Sequence, residues 1–170
     1  PCCVQSVAWG ALMTTSIDDN KALVRSFYEA GNCGDFDACF AIVADDIVWT
    51  NIGTTALSGT YRGKQSVMEE LIGPLFGRLE NGIQSTIHRL VAEGDTVVAL
   101  TSGQARTRDG ADYNNSYCQV IRIDGGQFVE VTEYFDTQLA GSIFGFGCYA
   151  GTTRKHGEPG LPSGDGEPPQ

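Results

Sequence analysis

The spacing of apolar residues changes once along the chain. Up to residue 79 they recur at helical intervals: Leu23, Phe27 and Ala30, then Phe36, Cys39, Phe40 and Val43 at i, i+3, i+4, i+7. A third stripe holds Val67, Met68, Leu71, Ile72, Leu75, Phe76 and Leu79. Ser16-Ile17-Asp18-Asp19 supplies an N-cap with an acidic first turn, Gly31 and Gly34 close that first helix, and Asp35 caps the second. Pro74 falls inside the third stripe and predicts a kink or a break. A strand over 47–51 separates the second and third helices. From Gly82 the period becomes two, with strands predicted over 83–93, 96–107, 113–124 and 127–135. Gly94-Asp95, Asp109-Gly110 and Asp124-Gly125-Gly126 separate them, and such tight turns predict hairpins and an antiparallel meander. Asp136 can cap a short last helix over 137–144. Helices followed by a meander give an α+β fold: a curved sheet with helices packed across one face. Three helices cannot cover every position on the concave side of a strongly curved sheet, and what remains uncovered is a pocket.

The last hairpin carries the chemistry. At strand period, Asn115, Tyr117 and Gln119 share one face while Cys118, Val120 and Arg122 share the other; Val131, Glu133 and Phe135 share a face on the second strand. No choice of face gives a purely apolar interior. An amide, a phenol and a carboxylate among apolar neighbours suit a ligand pocket, or else they mark the wet side of the sheet.

Length, 170 residues, fits one domain, expected over 16–148. Residues 1–15 lack the basic segment of a secretory signal and are expected to be an unstructured leader or upstream sequence. Residues 151–170 hold five glycines and four prolines, so a disordered tail is expected from 149 to 170. A net charge of −10 without a Lys/Arg cluster argues against nucleic acid. No apolar run reaches the roughly 18 residues of a membrane span, and a cytoplasmic location is expected. The six cysteines form no CxxC, and with two histidines there is no zinc pattern. The cysteines are therefore read as reduced.

These features resemble the ketosteroid-isomerase and SnoaL-like branch of the nuclear transport factor two-like superfamily. The resemblance runs from about Asp19 to Phe144. It rests on the Gly34-Asp35 break, Ala44-Asp45-Asp46 before Trp49, Tyr61-Arg62-Gly63-Lys64, Gly110 with Tyr113-Asn114-Asn115, Asp124-Gly125-Gly126 and Glu133-Tyr134-Phe135-Asp136. It implies an α+β barrel, a cone-shaped, curved, mostly antiparallel sheet with three to four helices enclosing one deep pocket, commonly dimeric. The steroid-isomerase trio is absent, because Asn51 stands where the aspartate base belongs, Phe27 replaces the tyrosine donor and Gln119 the protonated acid. Tyr28 is one residue away, but one helical step turns a side chain through about 100°. Against the limonene-epoxide-hydrolase pattern, Glu133 takes the water-activating position and Asn51 matches the water-holding asparagine. Trp49 sits where a tyrosine would be, and Leu100 and Ser102 fall where an arginine and a proton-donating aspartate belong. SnoaL-like cyclases use a single carboxylate on the last strand, which Glu133 also fits.

Glu133 is accordingly the expected catalytic acid/base, with a pKa raised by burial, unless it pairs with Arg89, Arg106 or Arg122. Asp136 is its competitor, although its place suits a helix N-cap. Trp49, Asn51, Asn115, Tyr117, Gln119 and Phe135, with Ser102 and Gln104 on the adjacent strand, are the expected substrate contacts. Tyr28 and Tyr61 are candidates for the pocket mouth, and His88 lacks a nucleophile partner. The chain is expected to be a cofactor-independent isomerase, cyclase or hydrolase acting on a small hydrophobic oxygenated molecule, without metal. The alternative is a binding module or dimeric adaptor. A homodimer is expected through the sheet face that carries Cys118 and Val120.

Overall fold

A computed structural model describes residues 16–146. The leader and tail expectations lie outside these residues, as do positions 147 and 148 of the expected domain. Helix α1 (Ile17–Cys33) begins with a reciprocal cap in which the Ser16 side chain accepts from the Asp19 backbone and Asp19 accepts from Ser16 N–H. It ends at Gly34, whose φ of 73° gives the left-handed turn that returns its N–H to the last carbonyls. Asp35 then caps α2 (Phe36–Ala41) by accepting from Ala38 N–H. Strands β1 (Val43–Asn51) and β2 (Gly59–Arg62) follow.

Pro74 distorts the third helical run, as expected from its missing N–H. Short α3 (Lys64–Ser66) widens into π-helical turns over Val67–Ile72 before α4 (Gly73–Gly77) resumes. Val67 and Leu71 stay buried through the change. Four long strands, β3 (Gln84–Glu93), β4 (Thr96–Gln104), β5 (Asn115–Asp124) and β6 (Gln127–Phe135), form the meander, and α5 (Thr137–Phe144) closes the described chain.

The sheet order is β2-β1-β6-β5-β4-β3. Every pairing is antiparallel except β1 with β6, which is parallel and places Asn51 opposite Glu133. The two ends of the sheet do not pair, so the expected barrel is an open, wrapped sheet with β2 and β3 as edges. Inward side chains fall into cross-strand rows. The deepest, Trp49, Val131, Ile121 and Val97, belongs to the main core together with Val24 of α1 and Phe128. The next, Asn51, Glu133, Gln119 and Ala99, crosses the middle of the concave face. Above it lie Phe135, Tyr117 and Thr101. The core thus makes an apolar floor, and the polar inward residues sit on top of it.

On α1 the buried line is Asn20, Val24 and Tyr28, at i, i+4, i+8, with Leu23 and Phe27 flanking it. The sequence stripe had been centred one position away. Both registers give an apolar face on an isolated helix, and only the sheet decides which is central.

Candidate active site

A cavity of about 140 Å3 lies between the concave sheet and the helices. Its volume is on the scale of the roughly 150 Å3 apolar cavity that takes up benzene. The wall is mostly aromatic and aliphatic, with Phe27, Phe40, Trp49, Leu71 and Phe135 among its residues. Phe36 of α2 and Phe76 of α4, ring centroids 5.3 Å apart and edge to face, also border it. Where α1 meets β3, Asn32 donates to Ser85 C=O and accepts from Ser85 N–H, which fixes that corner of the wall.

Among the described residues Glu133 is the one carboxyl in the lining, and no lysine, arginine or histidine lines the cavity. The arginines that could have neutralised it are elsewhere: Arg106 pairs with Asp112 and Arg122 with Glu130, both exposed, and Arg89 is exposed on β3. Burial therefore pushes the Glu133 carboxyl up to about 7, with a hydrogen bond from Gln119 acting in the opposite direction. The accessible part of this half-buried residue borders the cavity.

That hydrogen bond belongs to a directed chain. Tyr28 O–H donates to Gln119 Oε1, and Gln119 Nε2 donates to Glu133 Oε2. The Tyr28 phenol fixes which end of the amide faces the acid, and the amide holds one carboxyl oxygen. Among the described residues Glu133 Oε1 makes no side-chain hydrogen bond. Thr101 stands beside Tyr28, whose phenol burial holds well above its ordinary range, so it remains a donor. Tyr28 is thus a deep constituent of the site and not a mouth residue. Its rotation by one helical step, taken from sequence as disqualifying, is what points it at Gln119. The i, i+4, i+8 line through Asn20 and Val24 was the available signal.

The other expected contacts divide. Trp49, Asn51, Tyr117 and Phe135 line the cavity. Asn51 is spent internally: its Oδ1 accepts from Trp49 Nε1 at 3.0 Å and its Nδ2 donates to Leu57 C=O at 3.1 Å. Asn115 is buried but off the cavity, accepting from Asp136 N–H and donating to Asp136 C=O and to the Tyr113 hydroxyl. Gln119 lies behind Glu133 without lining the cavity itself. Tyr61 also lies off the cavity and donates to Leu57 C=O.

Ser102 and Gln104 are corrections. They face outward, where Ser102 Oγ lies 2.8 Å from His88 Nε2 and Gln104 is exposed. The inward set of β4 is Val97, Ala99, Thr101 and Gly103. Both alternating sets of this strand begin with apolar pairs, Val97/Ala99 and Val98/Leu100, so hydrophobicity could not choose, and a slip of one residue exchanges the faces. The same slip moves the comparison with the epoxide-hydrolase pattern from Leu100 and Ser102 to Ala99 and Thr101, and neither residue is an acid. His88 does have a serine partner, though on the side away from the cavity.

Asp136 caps α5, accepting from Gln138 and Leu139 N–H at 3.0 Å each, which leaves Glu133 as the carboxyl of the site. Cys33, Cys39 and Cys118 are free thiols. Among the described residues no group of side chains could hold a metal ion, and no helix is long and apolar enough to cross a membrane.

Comparison with known proteins places this geometry. Epoxide hydrolase EphG of Mycobacterium tuberculosis is 30% identical over 118 residues, which span 66% of this chain and 70% of that protein. The crystal structure of an NTF2-like protein of unknown function from Burkholderia pseudomallei superposes with a TM-score of 0.67 at 22% identity, covering 74% of this chain and 97% of that one. An LEH-like epoxide hydrolase from M. tuberculosis superposes with a TM-score of 0.61 at 23% identity, covering 75% and 90%. The family description "SnoaL-like domain" matches residues 24–131, more than half of the chain, and the protein belongs to that SnoaL-like family.

Proposed function

We propose that the protein is a cofactor-independent acid/base enzyme in which Glu133 moves a proton on a small, largely hydrocarbon substrate bearing oxygen. The observation that carries this reading is the solitary carboxyl in an apolar cavity, bound through one oxygen to Gln119 and free at the other. A carboxyl near 7 exists in both forms at neutral pH, the condition under which one group can accept a proton and return it. For isomerisation or cyclisation, Glu133 takes a proton from carbon and delivers it at a second position. For hydrolysis it takes a proton from water as the hydroxide oxygen bonds to an epoxide carbon. The C–O bond breaks, and the same proton neutralises the alkoxide.

Epoxide opening is the reaction to test first, because of the 30% identity to EphG. This chain has no carboxylic acid at the inward positions of β4, so a hydrolase here works with a different proton donor. The carboxyl's orientation into the cavity, without an arginine over it, supports catalysis above simple sequestration. The test is turnover of a panel of small epoxides, cyclohexene oxide and limonene oxide among them, by wild type and Glu133→Gln. A loss of at least about 10²-fold in the variant, with the fold intact, is expected. Equal turnover by both proteins would remove Glu133 from the mechanism.

The outward sheet face, where Val91 is 51% and Tyr134 48% exposed, supports the second part of the proposal, a homodimer through this face. Sedimentation equilibrium showing a monomer at all concentrations would refute it.

A further inference from the structure

The cavity meets the surface at a rim that residue contacts close into a ring. Among the described residues that line the cavity only Phe36 is exposed, at 37%, so the wall passes into surface at α2. From Phe36 the rim runs to Phe76 of α4, ring against ring. Phe76 in turn lies against Gly82, where an added Cβ would come within 3.0 Å of its Cε1. Ile83 and Ser85 continue the lining into β3. The paired hydrogen bonds between Ser85 and Asn32 then return the rim to the end of α1, a short step of chain from Phe36.

The two sides of this rim are held differently. On the β3 side Asn32 both donates to and accepts from the Ser85 backbone, and Gln84 Nε2 donates to Asn32 C=O at 3.1 Å. Ile83 there fills the space over Gly103, where a Cβ would meet its Cγ2 at 2.5 Å. On the other side one edge-to-face ring contact joins two short helices, and such a pair adds little beyond the area it covers. Helix α4 contains no buried residue, and α2 contains one, Cys39. Buried Leu71 and Leu79 hold the chain on either side of α4. Between these anchors the backbone is soft: π-helical turns lead into α4, and glycines stand at both of its ends, Gly73 and Gly77. A Cβ at Gly77 would touch nothing within 4 Å, and its φ is not positive, so neither packing nor turn geometry requires that glycine. What it contributes is backbone freedom.

We propose that Phe36 and Phe76 are the door of the cavity and that α4 is its moving leaf. Ligands enter and leave by a swing of Gly73–Gly77 that parts the two rings, while the Asn32–Ser85 side stays in place. Opening breaks the weakest contact of the rim and exposes no residue of α4 that was buried before. Closed, the pair completes the apolar enclosure around Glu133; its opening rate sets a ceiling on both entry and release. The inference concerns access and stands apart from the acid/base reading of Glu133. A door and a wall differ in kinetics. Removing a ring that is only wall changes how long a ligand stays, whereas removing a door speeds entry and exit together and leaves their ratio nearly fixed.

Fluorobenzene is the probe, because the cavity is on the scale of one that takes up benzene and binding asks no chemistry of Glu133. Exchange line shapes in ¹⁹F NMR with the full chain give Kd and both rate constants. Phe76→Ala should raise the association and dissociation rate constants together by at least about tenfold, while Kd moves by less than about threefold. Gly77→Ala, a better helix former with room for its methyl group, should lower both by about threefold to fivefold at unchanged Kd. Phe135→Leu, a wall substitution on β6 away from the rim, should leave the association rate constant as it is. An association rate unchanged by Phe76→Ala, rates unchanged by Gly77→Ala, equal acceleration by Phe135→Leu, or no saturable binding overturns the proposal. Should Phe76→Ala not fold, Phe36→Ala tests the same door from its other half. Glu133→Gln should exchange the probe as wild type does, so failure of the acid/base reading and failure of the door are told apart.

Discussion

Replacing Glu133 by glutamine should stabilise the protein at alkaline pH and leave it nearly unchanged in acid. The carboxyl moves from an ordinary 4.5 in the unfolded chain to about 7 in the folded one. At about 1.4 kcal/mol for each tenfold change in proton affinity, ionising it in the fold costs about 3 kcal/mol. The sign follows from proton binding. Between these two values the folded state holds the proton and the unfolded state does not, so the contribution of this carboxyl to stability is greatest below pH 4.5 and is lost as pH rises through 7. Across the interval from pH 5 to pH 8 the loss is about 2.5 kcal/mol. Glutamine keeps the shape, can still accept from Gln119 through its carbonyl, and carries no charge to bury. Urea denaturation of wild type and Glu133→Gln at intervals across this range measures the difference directly. The stability advantage of the variant should grow by about 2.5 kcal/mol between pH 5 and pH 8, most steeply between the two pKa values. Parallel curves would show that Glu133 is solvated or neutralised, and the premise of the acid/base reading would go with it.

Tyr28→Phe leaves Gln119 Oε1 buried without a donor, which should cost about 1–3 kcal/mol in urea. It should also free the amide to turn its oxygen toward Glu133 and so raise the carboxyl's pKa further, read by ¹³C NMR titration of labelled glutamate. Gly103→Ala, with its Cβ 2.5 Å from Ile83 Cγ2, should cost about 1–3 kcal/mol in urea denaturation. Native alkylation with iodoacetamide at pH 8 should modify exposed Cys33 well before Cys39, whose buried thiol is pushed up to about 12, as read by peptide mass mapping.

Local chemistry accounts for what was legible in the sequence. Ser16, Asp35 and Asp136 cap the helices they were expected to cap, and the Gly-Asp and Asp-Gly-Gly turns bound the strands, because caps and turns are decided within a few residues of chain. The same holds for the distortion before Pro74. On β5 and β6 the inward set containing Tyr117, Gln119 and Glu133 could be read because its alternatives, Cys118, Arg122 and Tyr134, include residues unsuited to a core. On β4 both alternating sets are equally apolar at their start, so the sequence did not choose between Thr101 and Ser102. Nor could it rank Tyr28 against Phe27, since an isolated helix accepts either register.

The tertiary structure made those choices by pairing. The parallel β1–β6 contact sets Asn51 beside Glu133, and the β5–β6 register sets Gln119 opposite it. The docking of α1 carries the Tyr28 hydroxyl to Gln119. Whether an amide is spent on its neighbours or free for a ligand is a property of three-dimensional proximity, and residue type does not encode it. The sequence therefore determined the fold and the carboxyl. The structure decided that Asn51, Asn115 and Gln119 are engaged within the protein, and for Asn115 and Gln119 the partners come from distant segments that meet only when the strands pair.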